Sequence, residues 1–362
     1  MNRPDTIVHV EGHRFRMSDA RWKIQYDPNA LQRMSFATGI PDVLRDFDVS
    51  LEQVIAGLPI DPQAFSDPDR RIAYSLISEL ALRSAKITDC PHFGLLLGSR
   101  YDHRSFGFPG LLMEHAPNLE TALAAFVRMQ TANSRGASTY KHRHDEESVI
   151  FGYGIYDRSA VGHAVVYAAV MAVAFNGVMA LTRGVARPAE VRFSFRRPAD
   201  IAPYSKFFKV PVRFDQPETG LVLPLSALAA PIPGARADEF DRLKALAAAE
   251  DPPGDRVWSN RVRHAIRPML LLGDVTSESA AAHFGLSIRA LSRRLEAEAT
   301  SFQRILDDIR YTVARELLTV TDLPIGDIAE TLAYSAHAPF DDAFRRWSGS
   351  TPSEWRRAIR EQ

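Results

Sequence analysis

One pattern occurs twice in the last third of this chain, and it limits the fold more than any other feature. Residues 277–298 read SESAAAHFGLSIRALSRRLEAE, and residues 328–347 read IAETLAYSAHAPFDDAFRRW. In the first stretch, Ala281, Ala282 and Phe284 give a short helix an apolar side. Gly285 suits the left-handed position past its end, and Ser287 can cap the next helix by accepting from its orphan amides. Leu291 and Leu295, four residues apart, turn that second helix toward a core, which leaves Arg289, Ser292 and Arg293 elsewhere on the wheel. A short helix, a tight turn and a second helix with exposed arginine is the layout that sets a recognition helix in the DNA major groove.

The second stretch repeats the plan. Ile328, Ala329 and Leu332 supply the first helix, and Tyr334–Ser335 the turn. Phe340, Phe344 and Trp347 form the buried face of the second helix, while Pro339 is tolerated because it falls in a first turn. A single unit of this kind is weak evidence, since helical hairpins are common; two units about 50 residues apart say far more. Between them, Phe302, Ile305, Ile309, Val313 and Leu317 share one face of a connecting helix over 302–318. Seventeen residues at 1.5 Å each span ~25 Å, so the two recognition helices can address successive major grooves about 34 Å apart.

Charge does not decide the matter. The whole chain carries 44 basic and 44 acidic residues, and residues 255–362 hold 15 Arg, no Lys and 15 Asp plus Glu. Any attraction to phosphates must come from placement, not from the sum. Apolar residues at 46% and charged residues at 24% fit a soluble globular chain. The single cysteine, Cys90, excludes an intrachain disulfide and a cysteine-based zinc site, so a cytoplasmic location is expected, with no secretory signal in MNRPDTIVHVEGHRF. The apolar stretch 160–181 is long enough to span a membrane, but its alanines, His163 and Asn176 point to a core helix, and no membrane partner is expected.

Proline and glycine gather at APIPG (230–234) and DPPG (251–254), which puts a linker carrying a helix at 232–254. Before it, a domain over 36–231 follows an N-terminal extension at 1–35. That domain mixes helical periods at 42–56, 68–86, 92–101, 119–131 and 160–182 with strand patterns at 137–143, 148–153, 190–195 and 219–223. After it, residues 255–362 show helices only. The expected fold class is therefore an α+β N-terminal domain joined to an all-α C-terminal domain with two helix-turn-helix units.

Residues 257–360 resemble the DNA-binding domain of the AraC/XylS family of bacterial transcription regulators. LSIRALSRRLEAE, SFQRILDDIRYTVARELL, IAETLAYS and AFRRWSGSTPSEWRR carry the match. Residues 36–225 resemble, more loosely, the arabinose-binding-like N-terminal effector domain of the branch that includes ornithine and virulence regulators, through FGLLLGSRYDHRSFGFPGLLMEHAPNLETAL. The resemblance implies double-stranded DNA and a small-molecule effector as partners, RNA polymerase as a further one, a homodimer as the assembly, and no cofactor. From the wheel, Arg289, Ser292 and Arg293 are the expected base-reading residues of the first unit, with Ser287 at the helix start and Arg294 as a phosphate or solvent contact; His337 and Asp341 in the second unit contribute at most a selective contact.

Three departures stand out. Ala299 and Ala333 occupy positions where the family usually has glycine; if those backbones are left-handed, each alanine costs on the order of 1 kcal/mol. Asp341 and Asp342 stand where the family often has a polar residue followed by arginine. These carboxylates either repel phosphates, leaving the first unit as principal reader, or form a solvated face favoured by the helix dipole. Asp341 could also accept from a cytosine amino group.

For an effector, RYDHRSFGF (100–108) and the hairpin from YKHRH to FGYGIY concentrate aromatic and basic residues. Arg100, Arg104, Phe106, Phe108 and Tyr153 are the candidates, and an apolar pocket with cationic heads would suit a small carboxylate or fatty acid. His142 and His144 share a strand face, but no third zinc ligand is evident, so no metal is expected. No Gly-rich phosphate loop, G-x-S-x-G or H-E-x-x-H is present, and no enzyme activity is expected. Two alternatives remain: DNA alkyl-damage repair through a methyl-accepting Cys90, which would need an activated thiolate, and a ligand-free DNA-binding scaffold.

Overall fold

A computed structural model describes residues 7–10, 13–16, 30–130, 134–249 and 257–361. The DPPG stretch and most of the 1–35 extension lie outside the described residues. The fold class is the expected one: helices and sheets in the N-terminal part, helices alone in the C-terminal part.

Nine strands occur among the described residues: β1 Ile7–Val10, β2 His13–Arg16, β3 Leu31–Arg33, β4 Arg71–Ala73, β5 Ala137–Arg143, β6 Ser148–Ile155, β7 Glu190–Arg192, β8 Val212–Arg213 and β9 Thr219–Pro224. β1–β2 and β3–β4 are separate antiparallel pairs. The remaining five make one sheet in the order β5-β6-β9-β7-β8, antiparallel except for the β7–β8 pair. The hairpin expected at 137–153 is present, with β6 running two residues further. The strand expected at 190–195 ends at Arg192, and β3, β4 and β8 were not expected: two or three residues are too few to show a period of two.

Along β6, Phe151, Tyr153 and Ile155 alternate with Gly152 and Gly154. One face of the strand is thus aromatic and apolar, and the other is bare. Against the sheet lies the helix His163–Leu181, the only one among the described residues long and apolar enough to cross a membrane, and it is a core element: Tyr167, Ala168, Ala172 and Val173 are fully buried. The shorter helix Phe93–Gly98 packs on it backbone to backbone. A Cβ at Gly94 would sit 1.9 Å from the Val165 carbonyl oxygen, and one at Gly98 2.1 Å from that of Ala169, which explains the spacing in FGLLLG.

The single helix expected at 42–56 is two, Ile40–Arg45 and Leu51–Ile55. Asp48 takes a left-handed φ of 54° between them, and Ser50 with Gln53 closes a capping box. The helix expected from residue 68 begins at Tyr74, because the preceding residues form β4. The helix Ala237–Ala249 buries Phe240 and Leu243 on the N-terminal core and leaves Leu246 exposed.

Beyond residue 257, a second core forms around the connecting helix Phe302–Val320, with Ile305, Ile309, Val313 and Leu317 all buried. Around it lie Trp258–Leu271, Ser277–His283, Ile288–Glu296, Ile325–Thr331, His337–Ser348 and Pro352–Arg360. Nineteen residues give the connecting helix a length of about 28 Å.

Candidate functional site

The first helix-turn-helix forms as its residues dictate. Ser277–His283 ends at Gly285, whose φ is 63°, and the Ser287 hydroxyl accepts from the Ala290 amide at 3.2 Å to start Ile288–Glu296. Leu291 and Leu295 are buried. On the leading helix Ala280 and Ala281 face the core, while Ala282, expected there, is exposed, because the helix is rotated about one residue from the sequence reading. Arg289, Ser292 and Arg293 are all exposed, and neither arginine makes a hydrogen bond or ion pair among the described residues. Arg294 differs. It is half-buried, with its guanidinium 4.1 Å from the Trp258 ring centre, beside Arg261 at 4.2 Å from the same ring.

In the second unit, Phe340 and Phe344 are fully buried and Trp347 partly so. His337 is exposed, with its Nδ1 3.4 Å from Asp341, so that carboxylate turns back to its own helix. Asp342 points out at 80% exposure, 3.9 Å from Arg345. Ala333 and Ala299 are both left-handed, each with φ of 55°. Arg310 braces the second turn by donating to the Leu332 and Ala333 carbonyls at 3.0 and 3.2 Å.

The two cores meet at a polar junction that sequence reasoning missed. Arg267, on Trp258–Leu271, lies across the bare face of β6. A Cβ at Gly154 would be 2.4 Å from its Nε, so this docking requires glycine there. Its guanidinium donates to the Ile155 carbonyl at 2.9 Å and to Glu316 on the connecting helix at 3.0 Å. Glu316 also accepts from the Tyr167 hydroxyl at 2.5 Å. All three side chains are inaccessible to solvent or nearly so. Burial pushes the Glu316 carboxyl up, but the Arg267 guanidinium overrides it and the carboxyl lies below its usual range. His264, on the same helix as Arg267, is pushed down to about 4 by burial and by His283, so it stays neutral. Only helical periodicity marked these positions in advance; a lone Glu or Arg in an amphipathic helix carries no sign of burial.

Tyr153 connects this junction to a cavity of about 60 Å³ between β6, the helix His163–Leu181 and the segments around Arg33, His103 and Gln130. The Tyr153 hydroxyl hydrogen-bonds that of Tyr74 at 2.9 Å, and its ring meets Tyr167 edge-on at 6.2 Å. Of the five effector candidates, Phe106 and Tyr153 line the cavity. Arg100 is paired with Asp46, and Arg104 is 66% exposed and held by Asp102 and Glu114, so neither reaches it. Phe108 is partly exposed and does not line the cavity either. The sequence signal here was an excess of arginine and aromatics, and it could not separate surface pairs from lining residues.

Cys90 is buried, and burial raises its thiol, the opposite of an activated nucleophile. His142 bonds Glu218 at 3.0 Å on the sheet, and no group of three metal-ligating side chains occurs among the described residues.

Comparison with known proteins agrees with this layout. The model of the arabinose-binding domain of AraC transcription regulator, N-terminal, matches residues 49–232, and that of a helix-turn-helix domain matches residues 280–358. The ornithine utilization regulator of Pseudomonas aeruginosa is 26% identical over 337 residues, covering 90% of this chain and 96% of that protein. The HTH-type transcriptional regulator VirS of Mycobacterium tuberculosis is 24% identical over 328 residues, again 90% and 96% of the two chains. A shorter likeness, 33% over 110 residues, is to the probable bifunctional transcriptional activator/DNA repair enzyme AlkA of Mycobacterium tuberculosis and covers 22% of that protein.

Proposed function

The chain belongs to the AraC family of transcription regulators with an arabinose-binding-type N-terminal domain, and on that premise we propose how it reads DNA and where it senses an effector. It is a DNA-binding transcription regulator and not an enzyme. In our reading residues 255–362 bind DNA, 36–231 hold the effector and the oligomerisation surface, and 232–254 join them after the 1–35 extension.

The observation that carries the DNA reading is the pair Arg289 and Arg293: exposed, unpaired guanidinium groups on a helix whose other face is locked into the core by Leu291 and Leu295. Ser292 lies between them. A guanidinium so placed can meet guanine O6 and N7 together. Arg294, stacked on Trp258, and Ser287, at the helix start, are suited to phosphate contact. The second unit contributes His337 and Asp341 at most as a selective contact. An operator recovered by sequencing bound genomic fragments provides the test. Arg293→Ala should lower specific affinity by about 1–3 kcal/mol and relax preference at one base pair. A footprint that leaves the Ile288–Glu296 surface idle would refute the assignment.

The effector is a small molecule, and the cavity bordered by Tyr153 and Phe106 is its place in this reading. The carboxylate or fatty-acid class has little support, because Arg100 and Arg104 are committed at the surface. Assembly as a homodimer on DNA and contact with RNA polymerase complete the proposal. Sedimentation with and without operator DNA tests the first, and transcription from a purified promoter the second.

A further inference from the structure

The cavity's walls specify what can enter it. Met34, Met113, Met171, Phe126, Phe151 and Val170 give it a mostly apolar lining. The guanidinium on that lining, Arg33, is already held by Asp69 at 2.5 and 3.0 Å and by the Phe106 carbonyl at 2.9 Å. Among the described residues, no aspartate or glutamate lines the space. An anionic ligand would find its counter-charge already neutralised, and a cationic ligand would find none. Either would bury a charge without a partner, which is far costlier than burying a neutral polar group.

Most of the unused polar atoms are acceptors. Gln32 donates its amide nitrogen to the Arg33 carbonyl at 3.1 Å, which leaves its oxygen as the spare atom, and that oxygen is buried without a partner. His103 is 1% exposed and directs Nε2 to Glu114 at 3.1 Å. The proton therefore sits on Nε2, and Nδ1, buried, 3.9 Å from Asp102 Oδ1 and without a hydrogen bond, keeps a lone pair. Gln130 is 4% exposed, and its carbonyl oxygen is the third such atom. All three residues border the cavity. By contrast, the hydroxyls of Ser35 and Ser78 already donate to the Ser105 and Ser75 carbonyls. The Tyr74–Tyr153 pair spends one hydroxyl proton on itself and keeps one, so the three spare acceptors outnumber it.

We propose that this cavity is a site for a small, uncharged, largely apolar molecule bearing a hydrogen-bond-donating hydroxyl or N–H group. The inference rests on the effector reading above and narrows its chemistry. At about 60 Å³ the space is smaller than the ~150 Å³ cavity that admits benzene, so a ring-sized ligand enters only if the wall yields. Three of its wall residues are methionines, whose unbranched thioethers reorient easily.

Those methionines also supply the test. The full chain, labelled with ¹³C-methyl methionine, would be titrated with phenol, fluorobenzene and benzoate, three probes of similar shape that differ in donor and charge. Phenol should shift the Met34, Met113 and Met171 signals with a dissociation constant at least tenfold below those of the other two. Gln130→Leu should bring phenol and fluorobenzene to within about threefold. Ala174→Leu, which fills the space from the long helix, should abolish the shifts while circular dichroism stays unchanged. Benzoate binding as tightly as phenol would overturn the neutral-donor class and leave an effector site standing. Fluorobenzene matching phenol would overturn the acceptor role. If no probe moves those signals while operator DNA is still bound, the cavity is not a ligand site and the DNA-binding reading survives.

Discussion

Replacing Arg267 with methionine tests the junction between the two cores. The substitution keeps the aliphatic stem over Gly154 and removes the guanidinium that pairs with Glu316 at 3.0 Å. Glu316 would then be a carboxylate at 3% exposure, supported by the Tyr167 hydroxyl and Ser194. Breaking a buried pair from one side typically costs about 3–5 kcal/mol. A ceiling can be set independently, because the carboxyl can escape by binding a proton. From an unfolded pKa near 4.3, protonation at pH 7 costs about 3.7 kcal/mol, and at pH 5 only about 1 kcal/mol. The Ile155 carbonyl, left without its donor, adds about 1–3 kcal/mol at either pH.

The expected signature is therefore a pH-dependent gap between variant and parent. In the parent the Glu316 carboxyl is depressed by Arg267, so its contribution is fully present above the unfolded pKa and is lost as pH falls through the lower folded value. In the variant the carboxyl is raised, and the penalty shrinks as pH falls from 7 to 5. Urea unfolding followed by tryptophan fluorescence reads this directly, since Trp258, Trp347 and Trp355 all lie in the C-terminal half. Arg267→Met with Glu316→Leu should recover the carboxylate's share, as apolar replacement of a buried pair is often neutral or better. A single-variant loss under about 1 kcal/mol at pH 7, or a gap that stays flat between pH 7 and 5, would refute the burial argument.

Three further outcomes are expected. Ala299→Gly and Ala333→Gly should each raise stability by about 0.5–1 kcal/mol, because both positions have φ of 55° and glycine removes the Cβ clash at some entropic cost; thermal melting checks it. His264, depressed to about 4 by burial and His283, should make stability fall as pH drops from about 6.5 toward 4, since the unfolded chain takes up the proton first; His264→Gln should flatten melting temperature against pH over that window. Asp342→Arg should raise DNA affinity and steepen its salt dependence, as a cation replaces a carboxylate that is 80% exposed; an unchanged salt slope would assign Asp342 to a solvated face.

The legible parts of the chain were those whose physics is local. Gly285, Ser287 and the Leu291–Leu295 pair fix a turn, a cap and a buried face within a dozen residues, and the structure places each as its type requires. The 160–181 stretch was legible for the same reason: apolar on every side, it had to be surrounded. The cavity and the junction were not legible, because they are assembled from residues far apart in sequence. Gly154 meets Arg267 across 113 positions, and Tyr167 meets Glu316 across 149. Yet FGYGIY held half of the answer. Alternation of aromatic residues with glycine in a strand means one face packs a core and the other admits something close to the backbone. Here the aromatic face borders the cavity and the bare face receives an arginine from the DNA-binding half, so the two surfaces a regulator must relate lie on opposite sides of one strand.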